Sequence, residues 1–366
     1  MMDPPAREDT KAPQREVNRL EERPGGRLGS ATLLRTRGPS DYAELHCLSN
    51  YTFLRGASHP DELIARAQHQ GYTALAITDE CSLAGVVRAH VALKRLCTEW
   101  LEKDASFDPD LDLLKLIIGA EFLVRSDDGA PIFKLVVLVA QKQGYGNLSQ
   151  FITDLRRASN TKGQYRLHIA HLKQARLEGC LLIMLPAQKC SLVQMLEQTR
   201  GLCAVGPTWV GVELHRELSD ERWLACLREF SKASGLPLVA CGDVHLHVRS
   251  RKPLQDVMTA TRLNKPIAAC GYDLQANAER HLRSRLRLAQ IYPADLLAET
   301  LNLAARCHFS LDELRYQYPA EVVPVGQTPA SHLRRLTLDG AQKRWPDGVP
   351  QRWLEQIERE LALIAE

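Results

Sequence analysis

The feature that most constrains the fold is an alternation, between residues 42 and 240, of short apolar segments with amphipathic segments of helical length. Apolar runs without polar alternation are typical of strands that are covered on both faces. Helical patterns between successive strands predict a mainly parallel sheet, open or closed into a barrel, and therefore an α/β fold. The predicted strands are 42–48, 74–78, 116–124, 132–140, 180–185, 208–214 and 236–240, and helices are predicted at 60–70, 83–103 and 145–158.

The pattern changes after about residue 250, where the predicted strands stop. Helical periodicity continues at 254–263, 277–288, 294–307, 331–344 and 349–365. Residues 1–40 are rich in Pro, Gly, Arg and Glu without sustained periodicity, which predicts a disordered tail. We therefore predict a tail at 1–40, an α/β domain at 41–270 and a mainly helical segment at 271–366.

Composition narrows the class of protein. The chain has 366 residues, of which 45% are apolar and 25% charged, as in a protein with a buried core. Its ten cysteines form no C-x-x-C pair, which favours reduced thiols in a cytoplasmic protein over disulfides or a zinc ribbon. The sequence has no run of 18 apolar residues, so no membrane-spanning helix is predicted. It also has no signal-peptide pattern, so secretion is not predicted. The net charge is only +3, which is less than expected of a protein that holds DNA through long basic patches. If the chain contacts DNA, other parts of the assembly are expected to supply most of the affinity.

Five polar residues stand at or near the ends of predicted strands: His46, Asp79, Glu121, Asp243 and His245. In α/β barrels the carboxyl ends of the strands are where functional sites collect. Asp243 and His245 are two residues apart, so on a strand both side chains point to the same face. Carboxylate with imidazole suits Zn, Mn or Fe. A buried hydrogen-bonded pair explains the same spacing, and both interpretations stay open here.

Several ordered motifs carry a resemblance to a known family. Residues 42–60 read YAELHCLSNYTFLRGASHP, and further matches are AITDECSLAG at 76–85, IGAEF at 118–122, GYGNL at 144–148, GDVH at 242–245, HLR at 281–283 and FSLDELRY at 309–316. This series resembles the PHP domain and the following segment of bacterial C-family DNA polymerases, in their error-prone branch. The resemblance covers about residues 41–366. It implies a PHP-type distorted (β/α)7 barrel followed by a mainly helical segment that leads into a polymerase core.

The resemblance also implies a set of metal ligands in the barrel, of which this chain keeps only a part. The matching positions hold His46, Asp79, Glu121, Asp243 and His245, while Glu80 replaces a histidine but still offers an oxygen ligand. Three other ligand positions hold Leu48, Lys134 and Gln188.

Two interpretations of this altered site follow. The first is a single metal, Zn or Mn, on Asp243, His245, Glu121 and His46. The second is a vestigial, metal-free polar cluster in which Lys134 replaces a metal ion. We prefer the second, because a lysine ammonium repels a divalent cation strongly in a partly dry site.

A separate candidate is a cluster of arginines. Arg280, Arg283 and Arg287 share one face of the helix predicted at 277–288, and they predict contacts with DNA phosphates. A solvated face paired with Glu279 explains the same pattern.

The resemblance implies an error-prone DNA-directed DNA polymerase that acts in translesion synthesis and damage-induced mutagenesis. Such an enzyme uses Mg, binds DNA and is expected to act with the sliding clamp and other mutagenesis proteins. The family's nucleotide loop and Asp-x-Asp motif do not follow residue 320, so we expect this chain to stop before the polymerase active site and not to polymerise alone. The alternatives are a metal-dependent PHP phosphoesterase and a non-catalytic scaffold module.

Overall fold

A computed structural model of the chain describes residues 41–104, 106–126, 128–172, 174–188, 191–315 and 323–365. The tail predicted at 1–40 lies outside the described residues, as do Asp127 of the turn between the third and fourth predicted strands, Cys190 and Tyr316.

The strands form one nearly closed sheet. Its members are β1 (Ala43–Cys47), β2 (Ala74–Ile77), β3 (Lys115–Arg125), β4 (Pro131–Val139), β5 (Leu167–His168), β6 (Cys180–Pro186), β7 (Thr208–Glu213) and β8 (Leu238–Cys241). Their order is β1-β2-β3-β4-β6-β7-β8, with β5 beside β3. A parallel bridge between Cys47 and Val244, with the Leu48 amide donating to the Val244 carbonyl at 2.8 Å, brings the two ends of this order together. The predicted α/β barrel is confirmed.

The sheet is mainly parallel, as predicted, with one exception. Strand β4 runs antiparallel to both β3 and β6, and the other strand pairs are parallel. Because β4 is reversed, its first residues lie at the edge where the neighbouring parallel strands end. This reversal brings Lys134 to that edge.

Helices surround the sheet and continue after it. They are α1 (Pro60–His69), α2 (Val86–Lys103), α3 (Pro109–Asp112), α4 (Lys142–Arg157), α5 (Ile169–Leu172), α6 (Leu192–Cys203), α7 (Asp220–Ser234), α8 (Lys252–Leu263), α9 (Arg285–Ile291), α10 (Ala294–Arg306), α11 (Pro329–Arg344) and α12 (Gln351–Ala365). Among the described residues no helix is both long and apolar enough to cross a bilayer.

The apolar runs of the strands are explained by apolar clusters on both faces of the sheet. In β4, Leu135 and Val137 belong to one cluster, and Val136 and Leu138 belong to the other. All four side chains are fully buried. A strand in this position needs apolar residues at successive positions, because neither face meets water.

The chain after residue 270 stays in contact with the barrel. The Ala43 amide donates to Thr300 Oγ1 of α10 at 3.2 Å, the Tyr292 hydroxyl donates to the Cys241 carbonyl at 2.8 Å, and Lys115 Nζ donates to the Ala304 carbonyl at 2.8 Å. Leu303 and Ala304 complete the apolar cluster of β1 and β4. A domain division at residue 270 remains a prediction.

The helix predicted at 277–288 is wrong in its extent. Helix α9 begins at Arg285, where the Ser284 hydroxyl accepts from the Arg287 amide at 3.3 Å. The preceding residues run alongside the chain that follows β8, with a parallel bridge between Leu246 and His281. The Arg280 carbonyl accepts from the His245 and Leu246 amides, and the Leu282 amide donates to the Leu246 carbonyl, so these backbone hydrogen bonds are made with the chain after β8 and not along a helix.

Candidate functional site

Polar residues converge at the edge of the barrel where the parallel strands end. His46 lies near the end of β1, Glu213 ends β7 and Asp243 follows β8. Glu121 on β3 and Lys134 on β4 face them. The carboxyl ends of parallel strands leave space for such groups because the chain turns away from the sheet there.

His46 is the centre of the cluster and is fully buried. Its Nε2 lies 2.8 Å from Glu121 Oε2, and its Nδ1 lies 3.0 Å from Glu213 Oε1. Both ring nitrogens therefore face carboxylate oxygens. Even a neutral imidazole donates from one of these nitrogens, so the ring holds at least one of the two carboxylates by a donated hydrogen bond.

Lys134 lies between the carboxylates of Glu213 and Asp243. Its Nζ is 3.1 Å from Glu213 Oε1 and 3.1 Å from Asp243 Oδ2. Glu121 Oε2 is 3.8 Å away. One ammonium thus interacts with three carboxylates that come from three different strands or strand ends.

Two arginines complete the set of cations. Arg55 Nη1 donates to Glu80 Oε2 at 2.6 Å and to Glu121 Oε1 at 2.7 Å. Arg280 forms an ion pair with Asp243. The spacing of the candidate metal ligands in the sequence predicts neither of these two arginine contacts.

The backbone at Asp243 is held in an unusual conformation. Its φ angle is +43°, in the left-handed region that non-glycine residues rarely occupy. The preceding Gly242 donates its amide to Glu44 Oε1 at 2.9 Å, and a Cβ on Gly242 would lie 2.1 Å from Glu44 Oε2. Glu44 also accepts from the His46 amide at 3.0 Å. The buried Glu44 carboxylate therefore fixes the two strand ends that carry His46 and Asp243.

The surrounding charges control the protonation of the buried acids. Burial acts to raise the pKa of Glu121, but Arg55, the hydrogen bond from His46 and Lys134 hold that pKa well below its ordinary value. Burial likewise acts to raise the pKa of Glu213, and Lys134, His46 and Arg280 hold it well below the ordinary value. Both side chains are therefore ionised at neutral pH.

His245 plays a different part from His46. Its Nε2 lies 3.0 Å from Asp243 Oδ1, and its Nδ1 lies 2.8 Å from the Gln255 amide nitrogen. Burial, followed by the charges of Arg55 and Lys134, lowers the pKa of His245 well below its ordinary value. A neutral ring that donates from Nε2 and accepts at Nδ1 satisfies both contacts.

Asp79 lies outside this ionic cluster, although the sequence placed it with the other acids. Its carboxylate accepts from the Ser49 amide at 2.8 Å, from the Ser49 hydroxyl at 2.7 Å and from the Thr52 hydroxyl at 2.7 Å. Burial raises the pKa of Asp79, and these hydrogen bonds act against that shift. Asp79 therefore anchors the loop that follows β1.

The three positions predicted to have lost a metal ligand have different surroundings. Leu48 is fully buried, while Lys134 enters the ionic cluster. Gln188 is exposed and accepts weakly from the Ser219 hydroxyl at 3.4 Å. Only one of the three replaced side chains therefore compensates charge.

Three donors in the cluster have the chemistry of a metal site. His46, Glu213 and Asp243 each present a ligand atom, and the three atoms lie within 4.8 Å of one another. Imidazole and carboxylate are ligands that Zn and Mn accept. A cluster of this kind could therefore hold a metal ion.

With Lys134 in place, however, these residues do not also fit a divalent cation. The ammonium contacts Glu213 and Asp243, two of the three donors. A dication about 4 Å from an ammonium is repelled by roughly 8 kcal/mol at an effective dielectric constant of about 20. Metal binding would therefore require Lys134 to move away.

Charge balance supports the same conclusion. Among the described residues, the carboxylates joined by these ion pairs are Glu80, Glu121, Glu213 and Asp243. The cations that face them are Arg55, Lys134 and Arg280, and the His46 ring contacts Glu121 and Glu213. Protein cations therefore already balance most of the negative charge that a metal ion would otherwise neutralise.

The arginine cluster predicted to contact DNA is corrected. Arg280 and Arg283 precede α9 and do not share its face with Arg287. Arg283 is buried and donates to the Leu214 carbonyl at 2.9 Å, while Arg287 donates to Glu279 Oε2 at 3.1 Å. Arg280 faces the barrel, where it pairs with Asp243. The three arginines therefore do not form the shared helical face that was predicted, and their contact with DNA stays a prediction.

Sequence reasoning missed Glu213, Arg55 and Glu44. Glu213 is a polar residue at the end of an apolar strand. A polar residue at or near a strand end is the signal that identified Glu121 and Asp243, so the same signal would have identified Glu213. Arg55 lies in a loop, and Glu44 lies within β1; no spacing signals their contacts.

The comparisons with known proteins agree with this architecture. Residues 44–207 match the family model described as PHP domain. The chain is 51% identical over 334 residues to an error-prone DNA polymerase of Dechloromonas aromatica, covering 89% of this chain and 30% of that protein. It is 50% identical over 325 residues to an error-prone DNA polymerase of Methylococcus capsulatus, covering 88% of this chain and 29% of that protein.

The chain thus spans about 30% of the length of the curated relatives it matches. Among solved structures, an amidohydrolase from Chromobacterium violaceum superposes with a TM-score of 0.40 at 15% identity, over 56% of this chain and 87% of that protein.

Proposed function

We propose that this chain belongs to the error-prone DNA polymerases and is the amino-terminal portion of an enzyme that synthesises DNA across damaged templates. The observation that carries the proposal is the 51% identity to such a polymerase over 334 residues. The PHP match and the barrel support it. The proposed enzyme acts in the cytoplasm in damage-induced mutagenesis, with DNA, the sliding clamp and other mutagenesis proteins as its partners.

Within that enzyme, we propose that the barrel serves as a scaffold and not as a phosphoesterase. The support is the pairing of Glu121, Glu213 and Asp243 with Lys134 and arginines. Hydrolysis of a phosphate ester by bound metals needs carboxylates that are free to hold those metals. The Mg that serves nucleotidyl transfer would be held elsewhere in the complete polymerase. A Zn or Mn ion in the barrel is the less favoured arrangement.

A chimera tests the proposed membership in a working polymerase. The matched segment of the Dechloromonas aromatica error-prone polymerase would be replaced by residues 41–365 of this chain. We expect the purified chimera to extend a primer opposite a lesion with Mg, and we expect the isolated chain to extend no primer. The same chimera with Leu45→Asp, which places a charge at a fully buried position of β1, is the negative control. A folded but inactive chimera would contradict the proposal.

A phosphatase assay tests the alternative function. The isolated chain would be incubated with a phosphomonoester and with Mn or Zn, beside the variants Glu121→Gln and Asp243→Asn. We expect no metal-dependent hydrolysis that these variants abolish. Turnover that disappears in both variants would establish the barrel as a phosphoesterase.

A further inference from the structure

A second polar site lies beside the ionic cluster. An open cleft of about 960 Å³ runs between the loop that follows β1, the β3–β4 hairpin and the chain around β5. This volume is at the upper end of the range of small-molecule sites, which is about 300–1,000 Å³. Glu80 lines both the cleft and the ionic cluster, so the two are neighbours.

The cleft presents aromatic side chains to solvent. Phe53 is 81% exposed and Tyr51 is 37% exposed, and both line it. Large exposed aromatic side chains next to a cleft are typical of binding sites and not of a bare surface.

The loop that carries these aromatic residues, residues 49–58, is firmly anchored. Thr52 donates to Asp79 at 2.7 Å, and the Ala57 amide donates to the His245 carbonyl at 2.9 Å. A Cβ on Gly56 would lie 2.0 Å from the Ser49 carbonyl oxygen, so the loop closes on itself tightly. The backbone at Phe53 is therefore fixed before a ligand binds, which lowers the conformational entropy lost on binding.

The lining of the cleft is also basic. Arg125, Lys162 and Arg166 line it, and among the described residues none of these three forms an ion pair. The two acids of the lining are already engaged. Glu80 binds Arg55 at 2.6 Å, and Asp128 on the hairpin accepts from Ser126 and from the Ala130 amide.

The floor of the cleft is rigid and polar. The Tyr165 hydroxyl donates to Glu80 Oε1 at 3.0 Å and accepts from the Leu123 amide at 2.8 Å. The guanidinium of Arg156 lies over the Tyr165 ring, 5.5 Å from its centroid. The Nδ1 atom of His168, which also lines the cleft, is buried and has no hydrogen-bond partner among the described residues.

We propose that this cleft binds single-stranded DNA, with bases stacked on Phe53 and Tyr51 and phosphates held by Arg125, Lys162 and Arg166. Arg125 donates to the Gly129 carbonyl at 2.9 Å but, like Lys162 and Arg166, forms no ion pair among the described residues. Exposed aromatic rings together with cations that are not neutralised by acids form the combination that recognises a flexible strand with planar bases and a charged backbone. An acidic peptide would use the cations but would gain little from two exposed rings. The inference rests on the proposed membership in a DNA polymerase and adds to it a holding site for an unpaired strand.

Fluorescence anisotropy of the purified chain with a short labelled oligothymidylate tests the proposal. Phe53→Ala is expected to weaken binding about fivefold or more, which is the loss of one stacked base. Tyr272→Ala, which removes a fully exposed aromatic ring outside the cleft, is the matched control and should bind as the wild type does. Thermal melts of both variants would verify that they are folded.

The charged residues are tested through the salt dependence of binding. The double variant Lys162→Ala, Arg166→Ala should flatten the slope of log K against log salt by about 1.4, because each lost phosphate contact on a single strand contributes about 0.7. Lys232→Ala, Arg262→Ala removes two exposed cations outside the cleft and should leave the slope unchanged.

An abasic oligonucleotide of the same length separates stacking from charge. Wild type should bind it more weakly than oligothymidylate, and Phe53→Ala should cause no further loss. Three results would overturn the proposal: no binding of oligothymidylate at low salt, equal losses in the control variants, or an acidic peptide that competes as well as DNA does. A chimera that still extends primers while this binding fails would show that the polymerase assignment stands without the holding site.

Discussion

Lys134→Ala is expected to destabilise the barrel. The Lys134 ammonium lies 3.1 Å from carboxylate oxygens of both Glu213 and Asp243. Removing one partner of a buried charged group costs about 3–5 kcal/mol. The Lys134 side chain is 24% exposed, so water recovers part of that loss. Arg280 and His46 also remain beside the two acids. The free energy of unfolding should therefore fall by about 2–3 kcal/mol.

Thermal and urea unfolding measure this loss. A change of this size should lower Tm by roughly 5–10 °C in a domain of this length. Lys134→Arg keeps the charge and should recover most of the stability. Lys232→Ala, which removes an exposed lysine, should leave Tm unchanged. If Lys134→Ala melted together with the wild type, Lys134 would not be the cation that holds these carboxylates together.

Metal ions should act on the same variants in a defined order. Removing the ammonium frees oxygens of Glu213 and Asp243, so Mn or Zn should raise the Tm of Lys134→Ala. Lys134→His adds an imidazole ligand and should respond more strongly. A ligand at about 100 times its dissociation constant stabilises a fold by about 2.7 kcal/mol. An equal response of the wild type would contradict the reasoning.

Three further expectations concern other parts of the barrel. Burial lowers the pKa of His281 from 6.5 to about 4, so between these pH values the unfolded chain binds a proton more readily than the folded chain does. The free energy of unfolding should therefore fall by up to about 1.4 kcal/mol per pH unit as the pH drops from 6.5 to 4. His281→Gln should flatten that part of a curve of Tm against pH. Arg280→Gln removes the guanidinium paired with Asp243 and should lower Tm clearly, whereas Arg262→Gln on the surface should not. Gly242→Ala places a Cβ 2.1 Å from the buried Glu44 carboxylate and should destabilise the fold in urea melts, whereas Gly206→Ala, whose Cβ would meet no atom closer than 3.8 Å, should be tolerated.

The strands were predictable from sequence because their signal is local. The apolar runs that contain Val136 and Ile183 are buried on both faces, and such runs are visible without any knowledge of partners. The spacing of the D-x-H pair predicted two side chains on one face of a strand, but β8 ends at Cys241 and Asp243 has a φ angle of +43°, so the pair lies in the chain after the strand. Asp243 Oδ1 and His245 Nε2 are nevertheless 3.0 Å apart.

The ionic cluster was harder to predict because its contacts join distant parts of the chain. Arg280 carries a helical spacing with Arg287, but its side chain pairs with Asp243, 37 positions earlier in the sequence. Asp79 closely follows a strand, as Asp243 does, yet hydroxyl groups of the neighbouring loop donate to its carboxylate. The sequence shows which residues can bind a metal or a cation, whereas the fold determines which neighbouring group each of them contacts.

The central claim is that cationic side chains, and not metal ions, neutralise the acids of this barrel. The most direct measurement is the metal content of the wild-type chain after incubation with Mn or Zn and dialysis, determined by mass spectrometry beside Lys134→His. The account predicts far less than one ion per chain for the wild type and a clear gain for the variant. One or more tightly held ions per chain in the wild type, with Lys134 present, would contradict it.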